Sequence, residues 1–502
     1  MVRASMVPVL AICCSLVAQS PAPASQHLSL QEAIKISLQN NLQVDIARQT
    51  KEVTVAGIQI NEGLFDWNLS ASAAAARLDY ASDSPAYKGS PTLVKGFGTA
   101  YNRNLTVDLN KPFDWGGSVD FNYAPLYSGW RADATTGVPA AWNPNPYAGA
   151  LSATYNQNFL QGFGREIGSA PLVIARKNAE AADYSFQLAI INLVATTETQ
   201  YWNVVYSQRY LDNEKIALQL AQKQLKENQI RLEVGTMAPL DVTSAEAQVA
   251  QAEQNIITAE ANLANAKDTL IRSLYPNAER PPVLECTDAP TLSHIQLKED
   301  EAVKMALARR VELKAARVNT DVAKLQYKVA DNKTLPTLAA FASYSGGTDN
   351  YASLSPVNTD LTGAKYPGYT VGLKFAVPLQ NRAAKGALSA ARATLRGSEL
   401  TLRDQELSIT LQVRTAVRNV EATEKTVKAA EKTRYFNEKE LEAEQKKFEN
   451  GMSTNFIVLQ VMTNLDNARS AEVQAQIAYA NAVTALESSV GNLMEARNLK
   501  IQ

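Results

Sequence analysis

Two histidines, three cysteines and one trio of glycines are the residues from which this chain could build chemistry, and their surroundings do not support it. His27 and His294 fall in segments that read as loop or linker, with no nucleophile or acid placed to make either one a base. Cys13 and Cys14 sit in an apolar N-terminal stretch, which leaves Cys286 alone in a processed chain. A lone thiol forms no intrachain disulfide, and it reads more readily as a small buried side chain than as a nucleophile. Gly162, Gly164 and Gly168 lie in GFGREIG, one residue too long for a GxGxxG phosphate loop, between a strand and a helix where a tight turn needs glycine anyway. The ligand count is too small for a zinc site, and 49 basic against 50 acidic side chains give no field to attract nucleic acid. No catalytic residue, metal, cofactor or nucleic-acid partner is expected.

The chemistry is therefore that of surfaces. Arg3 followed by the uncharged run Met6–Ala18 and the small residues Ala22-Pro23-Ala24 is an export signal over residues 1–24, with Ala18 an earlier possible cut. Ile12 stands where lipidation of Cys13 would want a small residue. No later segment offers about 18 consecutive apolar residues, so the exported chain could enter a membrane only as a closed β-barrel. Residues 104–110, 118–123 and 369–377 alternate polar with apolar, as 64–80, 148–160 and 336–344 do more loosely. A period of two with one apolar face suits an outer-membrane barrel. A soluble sandwich with one wet face alternates in the same way. Phe65, Trp67, Trp115, Tyr155, Phe159 and Phe375 fall near strand ends, where an aromatic girdle belongs.

The elements that carry these faces occur twice. LSLQEAIKISLQNNLQVDIAR (28–48) matches LKEDEAVKMALARRVELKAAR (297–317), Ala33 answering Ala302 at an offset of 269. RLEVGTMAPLDV (231–242) matches KFENGMSTNFIV (447–458), Gly235 answering Gly451 at an offset of 216. The first copy is thus longer by 53 residues. Repeat 1 (25–275) reads as a helix 29–60, strands with an insertion over 64–160, a long helix 171–234 and a helix 238–274. A Pro-rich linker 276–296 should be irregular. Repeat 2 (297–502) reads as helix 297–333, strands 336–378, long helix 382–449 and helix 453–492. Leu211, Leu218, Leu225 and Leu232 recur at sevens, as do Leu388, Leu395, Leu402 and Ile409. After Gly235, Val242, Val249, Ile256, Leu263 and Leu270 alternate with Ala245, Ala252, Ala259 and Ala266 in a heptad whose small positions permit close helix approach. The second copy repeats it with one lapse, at Glu472.

In this combination the chain resembles the TolC family of outer-membrane efflux proteins, over about residues 28–495. The resemblance is carried by the paired LSLQEAI and ALARR openings, by the passages NFLQGFGREIGSAPLVIAR and VGLKFAVPLQNRAAKGAL, and by the two glycine tips. It implies a mixed α/β membrane protein. The duplicated helix–strands–long helix–helix unit would build a trimeric outer-membrane β-barrel, continued by a long periplasmic α-helical (coiled-coil) barrel. It further implies a passive exit duct of a tripartite efflux or type I secretion system, working with a periplasmic adaptor (a membrane fusion protein) and an inner-membrane pump of RND or ABC type. A secreted structural or adhesive coiled-coil protein with a β head is the alternative, although a stalk has no reason to repeat these elements in this order.

The resemblance also assigns residues. Val234-Gly235-Thr236 and Gly451-Met452-Ser453, which serve at least as helix stops, become adaptor-docking tips. Asp241 matches a position that helps close the periplasmic mouth, or is simply an acid favoured in a first helical turn. Its usual basic partner would fall near Ser453, so that salt bridge is expected to be missing. The acidic ring of relatives falls on Ile457 and Gln460, so no cation-selective ring is expected. The insertion, with strands 104–110 and 118–123 between loops near 81–100 and 124–147, either adds two membrane strands per chain, giving 18 in a trimer, or stands outside a barrel of 12.

Overall fold

A computed structural model describes residues 25–81, 97–132, 141–279, 282–290 and 297–499 of the 502. The signal segment with Cys13 and Cys14, His294, and residues 82–96 and 133–140 of the expected loops lie outside those described residues. The first half runs β1 (Ser25–Leu28), α1 (Leu30–Asn40), α2 (Leu42–Glu62), β2 (Asn68–Ala81), β3 (Phe97–Pro112), β4 (Gly117–Ala132), β5 (Ala141–Trp142), β6 (Tyr147–Asn158), α3 (Arg165–Gly168), α4 (Ala170–Glu233) and α5 (Pro239–Leu274). The second runs β7 (Val283–Cys286), α6 (Glu299–Arg309), α7 (Val311–Asn332), β8 (Thr337–Gly347), α8 (Leu354–Thr362), β9 (Tyr366–Ala376), α9 (Arg382–Glu449), α10 (Asn455–Val490) and α11 (Leu493–Ala496).

α4 and α9 run unbroken for 64 and 68 residues, about 96 and about 102 Å at the α-helical rise. The expected helices 29–60 and 297–333 are each broken in two. At Asn41 the backbone turns extended, and its side chain accepts the Gln43 N–H at 2.8 Å while donating to Ser273 O at 3.0 Å. That amide ends one helix and starts the next, the usual competition of a short polar side chain with the helix ladder. In the second copy the break falls at Arg310, whose backbone is non-helical and whose guanidinium makes no cap bond but pairs with Glu312. The linker is not wholly irregular. Leu284 is fully buried, and β7 pairs in parallel with β1, placing Leu28 opposite Cys286.

Contacts divide the chain into two units, each assembled from both halves of the duplication. One comprises Met1–Asp45, Ala189–Arg309 and Ile409–Gln502. Its core gathers Leu28, Tyr201, Trp202, Leu263, Leu270, Leu274, Leu284 and Ile477. The heptad is buried as expected at Val242, Ala245, Ala252, Ala259, Leu263 and Leu270. At the lapse, Glu472 is answered by Arg434 of α9 in an ion pair. Half-buried Cys286 has its thiol pushed up to about 12 by burial, which leaves it an unreactive thiol.

The other unit comprises Ile46–Leu188 and Arg310–Ser408 and holds one sheet, ordered β2-β3-β4-β6-β8-β9, with β5 hanging from β4. Every pairing along that path is antiparallel. β3 and β4 extend to Phe97 and Ala132, well into segments expected to be loops, because a 16-residue ladder satisfies backbone groups that open loops would leave to water. Among the described residues no helix is long and apolar enough to cross a membrane.

Candidate functional site

Register turns the sheet into two chemically distinct faces. Residues directly opposite each other across an antiparallel ladder point to the same side. One line across all six strands reads Leu69, Leu109, Phe121, Ala153, Tyr344, Tyr369. Its neighbours on the other face read Ser70, Asp108, Asn122, Ser152, Ser345, Gly368 and Asn68, Asn110, Asp120, Thr154, Ser343, Thr370. The polar face is laced across strands: Asn122 donates to Asp108, Asn110 to Asp120 at 3.3 Å, and Thr154 and Ser343 share a bond of 2.9 Å. Tyr369, Val371, Leu373 and Phe375 on the apolar face are 64–82% exposed. So large an apolar face suits lipid, and its reverse suits water.

The expected aromatic residues all fall at one end of this sheet. Phe65 and Trp67 precede β2, Trp115 turns from β3 to β4, Tyr155 lies near the end of β6 with Phe159 just past it, and Phe375 lies near the end of β9. Trp67 lies 6.4 Å from Phe121, Phe113 stacks on Trp115 at 4.4 Å, and the Lys111 ammonium sits 5.4 Å from the Trp67 ring. Sequence reasoning missed a second belt on the same face. Tyr101, Tyr127 and Tyr147 lie eight to ten residues away along their strands, with Tyr127 against Tyr147 at 5.0 Å. Arg77 and Arg103 lie over Tyr101 and Tyr127. At about 3.4 Å per residue and a tilt of about 40°, the belts stand roughly 21–26 Å apart, the height of an apolar membrane band.

The helical unit carries the other candidate site. Both tips are built alike. Gly235 and Gly451 have φ of +75° and +73°, in the left-handed region. Thr236 N–H reaches Arg231 O at 2.9 Å and Gly235 N–H reaches Leu232 O at 3.0 Å. Met452 to Lys447 O at 2.8 Å and Gly451 to Phe448 O at 3.1 Å repeat the pattern. These are paired Schellman closures, which satisfy the last helical carbonyls and need glycine at the left-handed residue. Val234 and Met452 stand 69% and 72% exposed beside them, with Leu240 and Phe456 similarly bare.

Behind the tips a buried amide cluster joins the two hairpins. Asn228 (0% exposed) donates to Asn455 Oδ1 at 2.8 Å, and Gln224 donates to Asn228 Oδ1 at 3.0 Å and to Asn455 Oδ1 at 3.3 Å. Asn455 Nδ2 in turn reaches Asp241 O at 3.0 Å. Arg231 donates to Phe448 O at 3.2 Å while lying 4.4 Å over its ring. No pattern in the sequence marked this cluster, because Asn228 and Asn455 read as ordinary polar residues of long helices.

Asp241 enters through its backbone carbonyl; its carboxylate makes no ion pair among the described residues. Ser453, at the position of the expected basic partner, donates instead to Glu444, which also pairs with Lys447 at 2.8 Å. Ile457 and Gln460 are both exposed, with no acid at either place. GFGREIG is structural: Gly164 is left-handed, and a Cβ on Gly168 would stand 2.1 Å from Asp114 O. At the other end of the helical unit, Glu198 is fully buried. Arg497 binds it at 2.7 and 2.9 Å, and Thr484 donates to it at 2.6 Å.

The family model for outer membrane efflux proteins matches residues 165–274 and 302–492, more than half of the chain. Outer membrane protein TolC of Vibrio cholerae is 25% identical over 222 residues, 44% of this chain and 50% of that protein. The alignments span half or less of the length of the curated relatives they match. Among solved structures, the outer membrane protein VceC of Vibrio cholerae superposes with a TM-score of 0.66 at 16% identity, covering 92% of this chain and 96% of that one. The open state of the MtrE outer membrane channel of Neisseria gonorrhoeae gives 0.65 at 16% identity, covering 92% and 89%.

Proposed function

The chain belongs to the outer membrane efflux protein family, and we propose that three copies form a passive exit duct across the outer membrane, its helical part lying in the periplasm. One observation carries this reading: a sheet with one lipid-compatible and one water-compatible face shares a chain with two unbroken helices of 64 and 68 residues. Six strands of one chain cannot close a barrel with a useful bore, so copies must share the wall. The polar face lines a watery lumen and the apolar face meets lipid.

The tips Val234-Gly235-Thr236 and Gly451-Met452-Ser453 dock a periplasmic adaptor, which couples the duct to an inner-membrane pump of RND or ABC type. Exposed Val234 and Met452 beside rigid caps suit an apolar contact with another helical hairpin. Asp241 and the amide cluster behind the tips hold the mouth closed. The duct binds no cofactor and catalyses no reaction; cargo selection belongs to the pump. The alternative of a secreted adhesive stalk finds no support in the comparisons.

The test is fractionation followed by conductance. The protein is expected in the outer-membrane fraction, released only by detergent, and conducting ions in planar bilayers. Recovery as a soluble periplasmic protein would overturn the reading. For the tips, Gly451→Trp should leave assembly intact and reduce crosslinking to a co-expressed adaptor, and undiminished crosslinking would remove them as docking points.

A further inference from the structure

We propose that the β3–β4 hairpin, residues 97–132, forms two staves of the membrane wall, and that β9 of one copy hydrogen-bonds to β2 of the next, closing an 18-stranded barrel in the three-copy duct on which this inference rests. Three observations carry it. First, the hairpin is inserted into the sheet rather than attached to its rim. β3 pairs with β2 over Asn68–Ala81, and β4 pairs with β6 from Gly117 to Tyr127. Remove them and β2 has no partner among the described residues.

Second, the hairpin obeys the same two-faced pattern as its neighbours. Val107, Leu109, Phe121 and Tyr123 continue the apolar face, while Asp108, Asn110, Asp120 and Asn122 continue the polar one. A hairpin standing in water beyond the membrane would have no reason to keep an apolar face in register with lipid-facing strands. It also supplies both belts, through Trp115 at one end and Tyr101 and Tyr127 at the other.

Third, the edges suit each other. β2 (14 residues) and β9 (11 residues) end the path, so that on the outer side of each the N–H and C=O of every second residue have no ladder partner among the described residues. An open edge cannot remain in lipid, because each unmet N–H or C=O costs several kcal/mol there. Six successive antiparallel strands make β2 and β9 run in opposite directions. A rotated copy therefore sets its β2 antiparallel to β9 without reversing direction. Both edges carry the same alternation, with Leu69 and Tyr369 on the apolar face and Asn68 and Thr370 on the polar one, so the faces continue across the junction. The occupant of each edge is a second copy of this chain.

Strand number fixes the bore. At about 4.8 Å between strands and a tilt of about 40°, 18 strands give a backbone diameter of about 36 Å and 12 strands about 24 Å. The test images the full-length protein in detergent end-on and side-on. A threefold ring about 1.5 times the diameter of a 12-stranded barrel is the expected result. A threefold ring of 12-stranded width, with extra density beyond the membrane belt, would overturn the inference and leave the duct standing. Particles without a threefold ring would overturn the duct itself. A second measurement separates the same cases in lipid. Cysteine at Phe121 or Val107 in proteoliposomes should resist a water-soluble maleimide until the protein is denatured. Immediate labelling of both in intact vesicles would place the hairpin outside the membrane and refute the assignment.

Discussion

Replacing Asn455 by alanine should loosen the helical tips while sparing the rest of the helical unit. Asn455 is 3% exposed and accepts from Asn228 at 2.8 Å and Gln224 at 3.3 Å while donating to Asp241 O at 3.0 Å. In the variant Gln224 keeps its 3.0 Å bond to Asn228 Oδ1, but the Asn228 amide retains only a 3.5 Å contact to Asp241 O. One buried donor is then nearly orphaned, at about 1–3 kcal/mol, and one carbonyl loses its strong partner. A net cost of about 2–3 kcal/mol converts to a roughly 30- to 150-fold rise in local opening. Hydrogen exchange read by mass spectrometry on the detergent-solubilised protein measures it directly. Amides in 225–241 and 448–462 should lose protection by that factor, while 263–274 should not change. The Asn228→Ala/Asn455→Ala double variant should fall well short of the sum of the single effects, because both remove the same bond. Tip protection within threefold of the parent, or strict additivity, would show that the cluster does not hold the hairpins together.

Arg497→Met strands the fully buried Glu198 carboxylate and should destabilise the chain by about 3–5 kcal/mol in denaturant unfolding, whereas Arg497→Met with Glu198→Gln should recover much of that loss. Equal losses in the single and double variants would refute the pairing. Burial pushes the Asp466 carboxyl up to about 6, Glu214 adding to the shift and Arg469 opposing it, and neither Asp466 Oδ1 nor Glu214 Oε2 has a partner among the described residues. A carboxyl raised in the folded state holds a proton that the unfolded chain has already released between about pH 4 and 6, so ionised Asp466 costs stability above about pH 6. Asp466→Asn should therefore raise stability at pH 7.5 by about 1–2 kcal/mol after solvent screening, with the gain fading towards pH 4; a pH-independent gain in Tm would count against this cause. On the sheet, Leu151→Lys should cut membrane insertion by about 2–4 kcal/mol in lipid refolding, while Ser152→Lys on the opposite face should be tolerated; similar losses would mean that the faces are misassigned.

The secondary elements were legible because they rest on local rules. Heptads of Val, Leu and Ala specify the hairpin helices wherever they pack, uninterrupted by proline or glycine in α5 and α10, and a period of two in NLTVDLN and SVDFNY specifies strands. Gly235 and Gly451 announced themselves because a left-handed helix stop admits few other residues. The boundaries that failed were the helix breaks at Asn41 and Arg310: at Asn41 a polar side chain outbids the helix ladder with Ser273 in place to receive it, and at Arg310 the break stands beside the ion pair with Glu312. Leu284 was hidden among prolines, and its burial needs a parallel partner 255 or more residues away in β1.

Alternation alone tells a strand which residues share a face, and the sequence determined that much without help. It cannot tell which strands are neighbours, since pairing depends on backbone bonds between segments far apart in the chain. The structure decided that β3 and β4 lie inside the sheet, that six polar and six apolar residues line up across it, and that Tyr101, Tyr127 and Tyr147 form a second belt. Likewise, Asn228 and Asn455 are unremarkable polar residues until two hairpins 216 residues apart in the chain bring their amides within 2.8 Å in a site closed to water.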